Sequence, residues 1–206
     1  MEWSLIFFTP TKIVFGRGKA REIALGAQRA RKLDIDFIVA IGGGSVLDGA
    51  KAIAALVTNK REIHDYLEVI GKAIPLYEKP LPLIVLPTTA GTGAEVTCNA
   101  VLTKRDQGVK VSLRSPFLYP VVAIVDPLLT LTMPPRITAE TGMDALTQLI
   151  ESFVTPLSSP VPDALCRDGL YRASRSLQRA FMDGRDFGAR EDMSIASLFL
   201  WFLTIS

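Results

Sequence analysis

Apolar positions follow two different patterns along this chain of 206 residues. In the first part, short continuous apolar runs alternate with longer amphipathic stretches, which is typical of buried parallel strands that alternate with helices. Strands are predicted at 11–16, 36–41, 83–86 and 121–125, helices at 19–32 and 45–58, a short amphipathic piece at 63–70, and a hairpin formed by 97–103 and 109–113. After the double proline at 134–135, only helices are predicted, at 137–153, 161–182 and 190–204.

This change of pattern predicts an α/β half that is followed by an all-α half. We place the boundary at the double proline, so that one domain covers residues 1–135 and the other covers residues 136–206.

Composition narrows the classes of function. Apolar residues make up 49% and charged residues 21%, as in ordinary globular proteins. The net charge is +2 and basic residues are interspersed with acidic ones, so we expect no nucleic-acid partner. Cys98 and Cys166 lie far apart in sequence, which predicts a reduced, cytoplasmic protein. We expect no signal peptide, because the N-terminus lacks a basic region and a cleavage site. We expect no membrane span, because the apolar stretch 198–203 is too short to cross a bilayer.

A glycine cluster separates the strand at 36–41 from the helix at 45–58. We call residues 42–45 the glycine loop. Glycines let backbone N–H groups approach an anion, and the helix N-terminus adds the positive end of its dipole. Ser45 is predicted as the N-cap, and Asp48 as the acid of a capping box. The alternatives are a phosphate site and a plain tight turn with ordinary dipole compensation.

A second loop follows the strand at 83–86. We call residues 88–95 the threonine loop, and its Thr88, Thr89 and Thr92 supply hydroxyl groups. Ligands of open α/β sheets bind at the carboxyl ends of the strands, where both loops are predicted to lie. The alternative is a loop whose hydroxyl groups satisfy only its own backbone.

Asp144 and Gln148 are four residues apart on a predicted helix, so both project from one face. An aspartate and a histidine at this spacing would make half of a metal site. Glutamine is a poor ligand for transition metals, and an isolated aspartate is more often solvated or a cap.

Four stretches resemble the iron-containing (group III) alcohol dehydrogenase family. They are GGGSVLDGAK (42–51), LPTTAGTGAEVT (86–97), VAIVDPLLTLTMPP (122–135) and TGMDALTQLIESFV (141–154). The segment KIVFGRGKAREI (12–23) resembles the start of the same proteins, so the likeness runs in order through nearly the whole chain. Dehydroquinate synthases and glycerol dehydrogenases share the fold, but TTAGTGAE and GMDALT are more similar to the iron-type alcohol dehydrogenases.

The resemblance implies a dehydroquinate synthase-like architecture: a Rossmann-like NAD(P)-binding domain, a helical metal-binding domain, and Fe²⁺ or Zn²⁺ between them. The implied activity is metal-assisted hydride transfer between an alcohol and NAD or NADP, giving an aldehyde or ketone. The implied cofactor contacts are Gly43, Gly44 and Ser45 at the pyrophosphate, Asp48 near the nicotinamide, Thr88, Thr89 and Thr92 along the cofactor, and Lys110 at the nicotinamide ribose. Asp144 is the implied first metal ligand.

The chain also departs from the family. Gln148 stands where the family has a histidine ligand, and the two remaining histidine ligands would lie beyond residue 206. His64, the one histidine, is expected to be an exposed helix residue. About twenty residues join the predicted strand at 11–16 to the strand at 36–41, fewer than the roughly 30 of a βαβ unit. We therefore expect an internal deletion, a missing adenine subsite, exposed sheet edges, and weak or no metal binding.

Three functions stay open. The chain is an alcohol dehydrogenase that needs the missing parts supplied, a catalytically dead nucleotide- or phosphate-binding remnant, or a fragment bound to a membrane or partner through its apolar C-terminus. Residues 195–205 are expected to expose an apolar patch, which could drive formation of a homo-oligomer.

Overall fold

The computed structural model describes residues 23–104, 107–156 and 159–200. The strand at 11–16 and the start of the helix at 19–32 lie outside these residues. The helices are α1 (Ile23–Lys32), α2 (Gly44–Thr58), α3 (Ile63–Tyr66), α4 (Pro135–Val154), α5 (Pro160–Met182) and α6 (Phe187–Leu198), and the strands are β1 (Ile38–Gly42), β2 (Leu83–Pro87), β3 (Asn99–Lys104), β4 (Val109–Arg114) and β5 (Val122–Ala123). Short 3₁₀ helices lie at Ala94–Val96, Pro116–Leu118 and Pro127–Thr130.

A parallel sheet carries both candidate loops. Its strand order is β1-β2-β5, and β1 pairs with β2 in parallel from Ile38 opposite Leu83 to Gly42 opposite Pro87. The glycine loop leaves the carboxyl end of β1 and the threonine loop leaves the carboxyl end of β2. The register therefore places the two loops side by side, as the sequence predicted.

Helix α2 lies at the centre of the α/β half. Near its start, Leu47 and Ala50 pack with Ala40 of β1 and Val85 of β2. Further along, α2 packs into a second apolar cluster, to which the hairpin and the loop after α3 also contribute. Its buried members are Ala27, Ala52, Ala55, Leu56, Tyr66, Leu67, Leu76, Ala100, Val111, Leu113 and Leu118. The many small side chains of α2 allow this close packing on two sides.

The predicted hairpin is confirmed as the antiparallel pair β3–β4. The amphipathic piece at 63–70 is helical only over α3, because the backbone at Leu67 is extended and Val69 has a positive φ of 63°. His64 lies exposed on α3, as predicted.

The prediction that the parallel strands are buried is wrong for two of them, β1 and β5. In β1, Val39 is 46% and Ile41 is 59% exposed, and the region of β5 is shorter and also exposed, with Val121 at 70%. The cause is that α2 covers one face of the sheet, while among the described residues no helix covers the other. Strands β1 and β5 are also the two edges of the sheet that the described residues form.

The helical half forms its own core from α4, α5 and α6. Gly142 and Gly169 let the helices approach, since a β-carbon on Gly169 would lie 2.9 Å from Leu149 Cδ2. Fully buried alanines, including Ala173 and Ala196, line the contacts.

The predicted apolar patch at 195–205 is wrong for the residues described. Ala196 and Ser197 are buried on α6, and Leu200 is buried among residues of the helical core and Ala90 of the threonine loop. The helix finds partners within the chain, in α5 and in the threonine loop, so its C-terminal part is buried or half-buried. Residues 201–206 lie outside the described part.

No helix among the described residues is both long enough and apolar enough to cross a membrane.

Candidate functional site

The glycine loop passes directly into α2. Gly43 is the N-cap, with extended backbone and no side-chain cap, and Gly44 is the first helical residue. The predicted N-cap at Ser45 is therefore wrong, because the helix has already begun one residue earlier. Asp48 is likewise not a capping-box acid, since it lies beyond the first turn. The uncapped N–H groups at this helix start are free to face an anion.

The two loops touch each other. A β-carbon built on Gly43 would lie 3.1 Å from Thr89 Cγ2, and one built on Gly44 would lie 2.8 Å from Thr92 Oγ1. The Thr88 N–H also donates to the Gly42 carbonyl oxygen at 2.9 Å. The structure thus brings together the residues of both loops, with Ser45 and Thr92 exposed and Gly43, Gly44, Thr88 and Thr89 partly exposed.

The threonine loop is held on its other side by the helical half. Thr92 Oγ1 accepts from the Ala94 N–H at 3.3 Å, so this hydroxyl serves the loop's own backbone, as the alternative interpretation has it. The Gly91 N–H donates to Ser197 Oγ at 2.9 Å. A β-carbon on Gly91 would lie only 2.2 Å from the Thr141 carbonyl oxygen of α4. The loop therefore fits between the glycine loop, α4 and α6.

A buried charged cluster lies behind the loops. Lys51 is fully buried, and its Nζ donates to the Thr97 carbonyl at 2.7 Å, the Thr97 hydroxyl at 3.2 Å and the Asn99 carbonyl at 2.9 Å. Asp48 and Glu95 are also buried, and both carboxylates interact electrostatically with this ammonium. The cluster joins α2 to the end of the threonine loop.

Burial shifts the pKa of each member of the cluster. It raises the pKa of Asp48 to about 6, although the positive charge of Lys51 opposes the shift. It lowers the pKa of Lys51 to about 8, against the opposing effect of Asp48. It also raises the pKa of Glu95. All three pKa values are therefore shifted toward neutrality, as those of groups near functional sites often are.

Sequence reasoning missed Lys51, Glu95 and Ser197. The spacing of Asp48 and Lys51 on one helix was a usable signal, because residues three apart face the same side. Nothing local identifies Ser197, since its partners lie in a distant loop.

The remaining candidates lie elsewhere. Lys110 is an exposed residue of β4, opposite Thr103 in the hairpin. Asp144 is exposed and Gln148 half-buried on α4. Across residues 23–104, 107–156 and 159–200, no group of three or more His, Cys, Asp or Glu side chains could hold a metal ion.

Two family profiles match this chain. The family profile described as iron-containing alcohol dehydrogenase matches residues 16–127. The profile of the C-terminal part of the Fe-containing alcohol dehydrogenase family matches residues 138–200.

Individual relatives are similar over most of this chain. The 4-hydroxybutyrate dehydrogenase of Cupriavidus necator is 42% identical over 172 residues, which are 84% of this chain and 45% of that protein. The long-chain-alcohol dehydrogenase 1 of Geobacillus thermodenitrificans is 43% identical over 168 residues, which are 82% of this chain and 42% of that protein. The crystal structure of sulfoacetaldehyde reductase from Bifidobacterium kashiwanohense, in complex with NAD+, has a TM-score of 0.83 and 40% identity, covering 89% of this chain and 48% of that one. The chain thus spans less than half the length of these relatives.

Proposed function

The chain belongs to the iron-containing alcohol dehydrogenase family, and from this premise we propose that it binds NAD or NADP between the glycine and threonine loops. The proposed reaction is hydride transfer between that cofactor and an alcohol or its aldehyde or ketone. When bound, the nicotinamide ring supplies the hydride acceptor or donor.

The observation that carries this proposal is the contact of Gly43 and Gly44 with Thr89 and Thr92 at the start of α2. Side chains are absent where the helix N-terminus faces outward, so a pyrophosphate can approach the uncapped N–H groups. Hydroxyl groups stand next to this opening. An anion with attached ribose groups matches that chemistry.

The residue roles follow from this placement. Gly43, Gly44 and Ser45 would contact the pyrophosphate with backbone N–H groups. Thr88, Thr89 and Thr92 would line the cofactor, as the family resemblance implies. The roles of Asp48 near the nicotinamide and of Lys110 at the ribose stay predictions, since Asp48 is buried behind the loop and Lys110 lies on the hairpin.

Cofactor binding is tested by titrating the purified chain with NADH, NADPH and ADP-ribose. Protein fluorescence or calorimetry gives the Kd for each ligand. We expect saturable binding of NADH or NADPH, with competition by ADP-ribose, because the pyrophosphate is shared. Absence of saturable binding up to millimolar concentrations of all three ligands would rule the proposal out.

The described residues do not by themselves make a metal site. Asp144 has Gln148 as its neighbour on α4, and no group of three ligand-type side chains occurs in the described ranges. Catalytic zinc and non-haem iron sites use about three protein ligands. This observation favours a second candidate function, nucleotide or phosphate binding without catalysis.

An assay of hydride transfer separates the two candidates. Reduction of NAD+ and NADP+ is followed by the absorbance of the reduced nicotinamide ring, with several primary and secondary alcohols, in the presence and absence of Fe²⁺ or Zn²⁺. Turnover that depends on metal supports the dehydrogenase. Nucleotide binding with no turnover under any condition supports the non-catalytic protein.

The proposed partners are small alcohols and carbonyl compounds, with no nucleic acid. Self-association through the apolar C-terminal stretch stays a prediction. Exposed apolar residues occur on several described elements, for example Val154 at 69% on α4 and Met182 at 77% on α5. A cytoplasmic location also stays a prediction, consistent with Cys98 and Cys166 being free thiols.

A further inference from the structure

We infer that Ser197 of α6 is a positioning residue for the cofactor. Its hydroxyl holds the threonine loop, by hydrogen bonds, in the conformation that contacts the glycine loop. This inference rests on the proposed binding of NAD or NADP by these loops.

Ser197 bridges two points of the threonine loop. Its Oγ accepts a hydrogen bond from the Gly91 N–H at 2.9 Å, and its hydroxyl donates to the Glu95 carboxylate. Gly91 and Glu95 flank the turn that carries Thr92, the residue in contact with Gly44. One hydroxyl therefore uses its acceptor and its donor to close this turn.

Burial makes both hydrogen bonds costly to lose. Ser197 is 1% and Glu95 is 4% exposed, so water does not readily replace the serine. A buried donor or acceptor without a partner costs about 1–3 kcal/mol, and a charged group costs more. Without the hydroxyl, the Gly91 N–H can regain a partner only if the loop moves toward water, and the Glu95 carboxylate keeps only its backbone hydrogen bond and the attraction of Lys51.

The buried charged cluster around Lys51 holds Glu95, the second residue to which the Ser197 hydroxyl bonds. The Lys51 ammonium attracts the Glu95 carboxylate and donates to the Thr97 and Asn99 carbonyl groups just after the loop. Since Lys51 belongs to α2, the helix that starts at the glycine loop, the bridge connects α2 to α6 through the threonine loop.

Steric contacts leave the loop few alternative positions. The Thr141 carbonyl oxygen lies 2.2 Å from where a Gly91 β-carbon would be. Gly93 has a positive φ of 61° and lies close to Leu200, whose Cβ would be 3.2 Å from a β-carbon there. Helices α4 and α6 thus enclose the threonine loop on two sides, and the Ser197 hydroxyl fixes the position of the loop between them.

The same helix offers a matched control. Ser194 is also buried, at 3% exposure, but its hydroxyl donates to the Arg190 carbonyl within α6 at 2.9 Å. Truncating Ser194 removes the same atom from the same helix without touching the threonine loop.

The experiment compares the full chain with Ser197→Ala and Ser194→Ala in two measurements. The first is amide hydrogen exchange at Gly91, followed by NMR without any ligand. The second is the Kd for NADH and for ADP-ribose. A loss of 1–3 kcal/mol corresponds to about 5- to 150-fold, so we expect Ser197→Ala to speed Gly91 exchange and raise the Kd by at least about 5-fold. Ser194→Ala should stay within about 2-fold in both measurements, a change of about 0.4 kcal/mol.

Unchanged Gly91 exchange in Ser197→Ala, or equal effects of the two variants, overturns the inference. If Ser197→Ala does not fold, Ser197→Cys replaces it, because a thiol fills the same place while both hydrogen bonds weaken. If the wild-type chain binds neither ligand, the proposed cofactor binding fails, and Gly91 exchange alone then decides whether Ser197 positions the loop.

Discussion

Gly44 and Thr92 lie so close together that a β-carbon on the glycine would be 2.8 Å from the threonine hydroxyl oxygen. The two residues belong to loops that follow the neighbouring strands β1 and β2. The Thr92 hydroxyl also accepts from the Ala94 N–H, so its position is part of the backbone structure of the loop. The threonine loop can therefore lie this close to the start of α2 only while residue 44 lacks a side chain.

Replacing Gly44 with alanine should weaken cofactor binding. The added methyl group forces Thr92 away and occupies space at the helix N-terminus, so we expect the Kd for NADH to rise at least about 10-fold, or 1.4 kcal/mol. Fluorescence titration measures the change.

Gly49 is the control, because a β-carbon there would meet nothing within 4 Å. It lies inside α2, where alanine is favoured over glycine by about 0.5–1 kcal/mol. Gly49→Ala should bind NADH as the wild type does and unfold at a slightly higher denaturant concentration. Equal weakening of NADH binding by both substitutions would show that the Gly44 contact is not the cause.

Gly91→Ala should both destabilise the protein and weaken cofactor binding. Its β-carbon would lie 2.2 Å from the Thr141 carbonyl oxygen, so the threonine loop must separate from α4. Overpacking of this kind costs about 1–3 kcal/mol. Urea unfolding and NADH titration give the two effects.

Gly71→Ala separates these two effects. Its β-carbon would lie 2.0 Å from the His64 carbonyl oxygen, a comparable clash at α3, away from both loops. We expect a similar loss of stability with an unchanged Kd, measured at a temperature where each variant is folded. A weaker Kd in Gly71→Ala would mean that general destabilisation explains the binding effect.

Stability should depend on pH through Asp48 and Lys51. The folded protein raises the pKa of Asp48 from 3.8 to about 6, so it holds more protons than the unfolded chain in that interval. The free energy of unfolding then falls as the pH rises from 3.8 to 6. For Lys51 the pKa falls from 10.5 to about 8, so the free energy of unfolding rises again between pH 8 and 10.5.

Asp48→Asn isolates the acidic part of this profile. Asparagine does not titrate, so the stability of the variant relative to the wild type should increase between pH 4 and 6, the interval set by the pKa values of Asp48. Urea unfolding at several pH values checks this, and parallel curves for the two proteins would contradict the assignment of the shift to Asp48.

The sequence predicted the long helices well because their amphipathic pattern extends over many turns. The predicted helix at 161–182 corresponds to Pro160–Met182, and the one at 137–153 to Pro135–Val154. The prediction that Val39 and Val121 are buried was wrong, because a continuous apolar run does not show whether both faces of a sheet are covered.

For the candidate site, too, some features were predictable from the sequence and others were not. The meeting of the two loops follows from the rule that parallel strands end at one edge, and sequence motifs sufficed for it. The N-cap at Ser45 was wrong by geometry, because Gly43 adopts the extended capping conformation with φ −76° and ψ 179°. The connection of Glu95 to Ser197 is a tertiary contact between a loop and a distant helix, which no local pattern encodes.

Metal binding by the chain should be weak. Asp144 and Gln148 are the implied metal positions on α4, and an amide oxygen competes poorly for zinc or iron. Calorimetric titration with Zn²⁺ should therefore show no tight 1:1 complex at micromolar protein.

Gln148→His supplies an imidazole on the same helix face as Asp144, so we expect zinc affinity to rise about 10-fold, or 1.4 kcal/mol. Adding Asp144→Ala to Gln148→His should abolish the gain, because the pair would lose its carboxylate. Tight zinc binding by the wild-type chain, or a gain that survives Asp144→Ala, would place the metal on other residues.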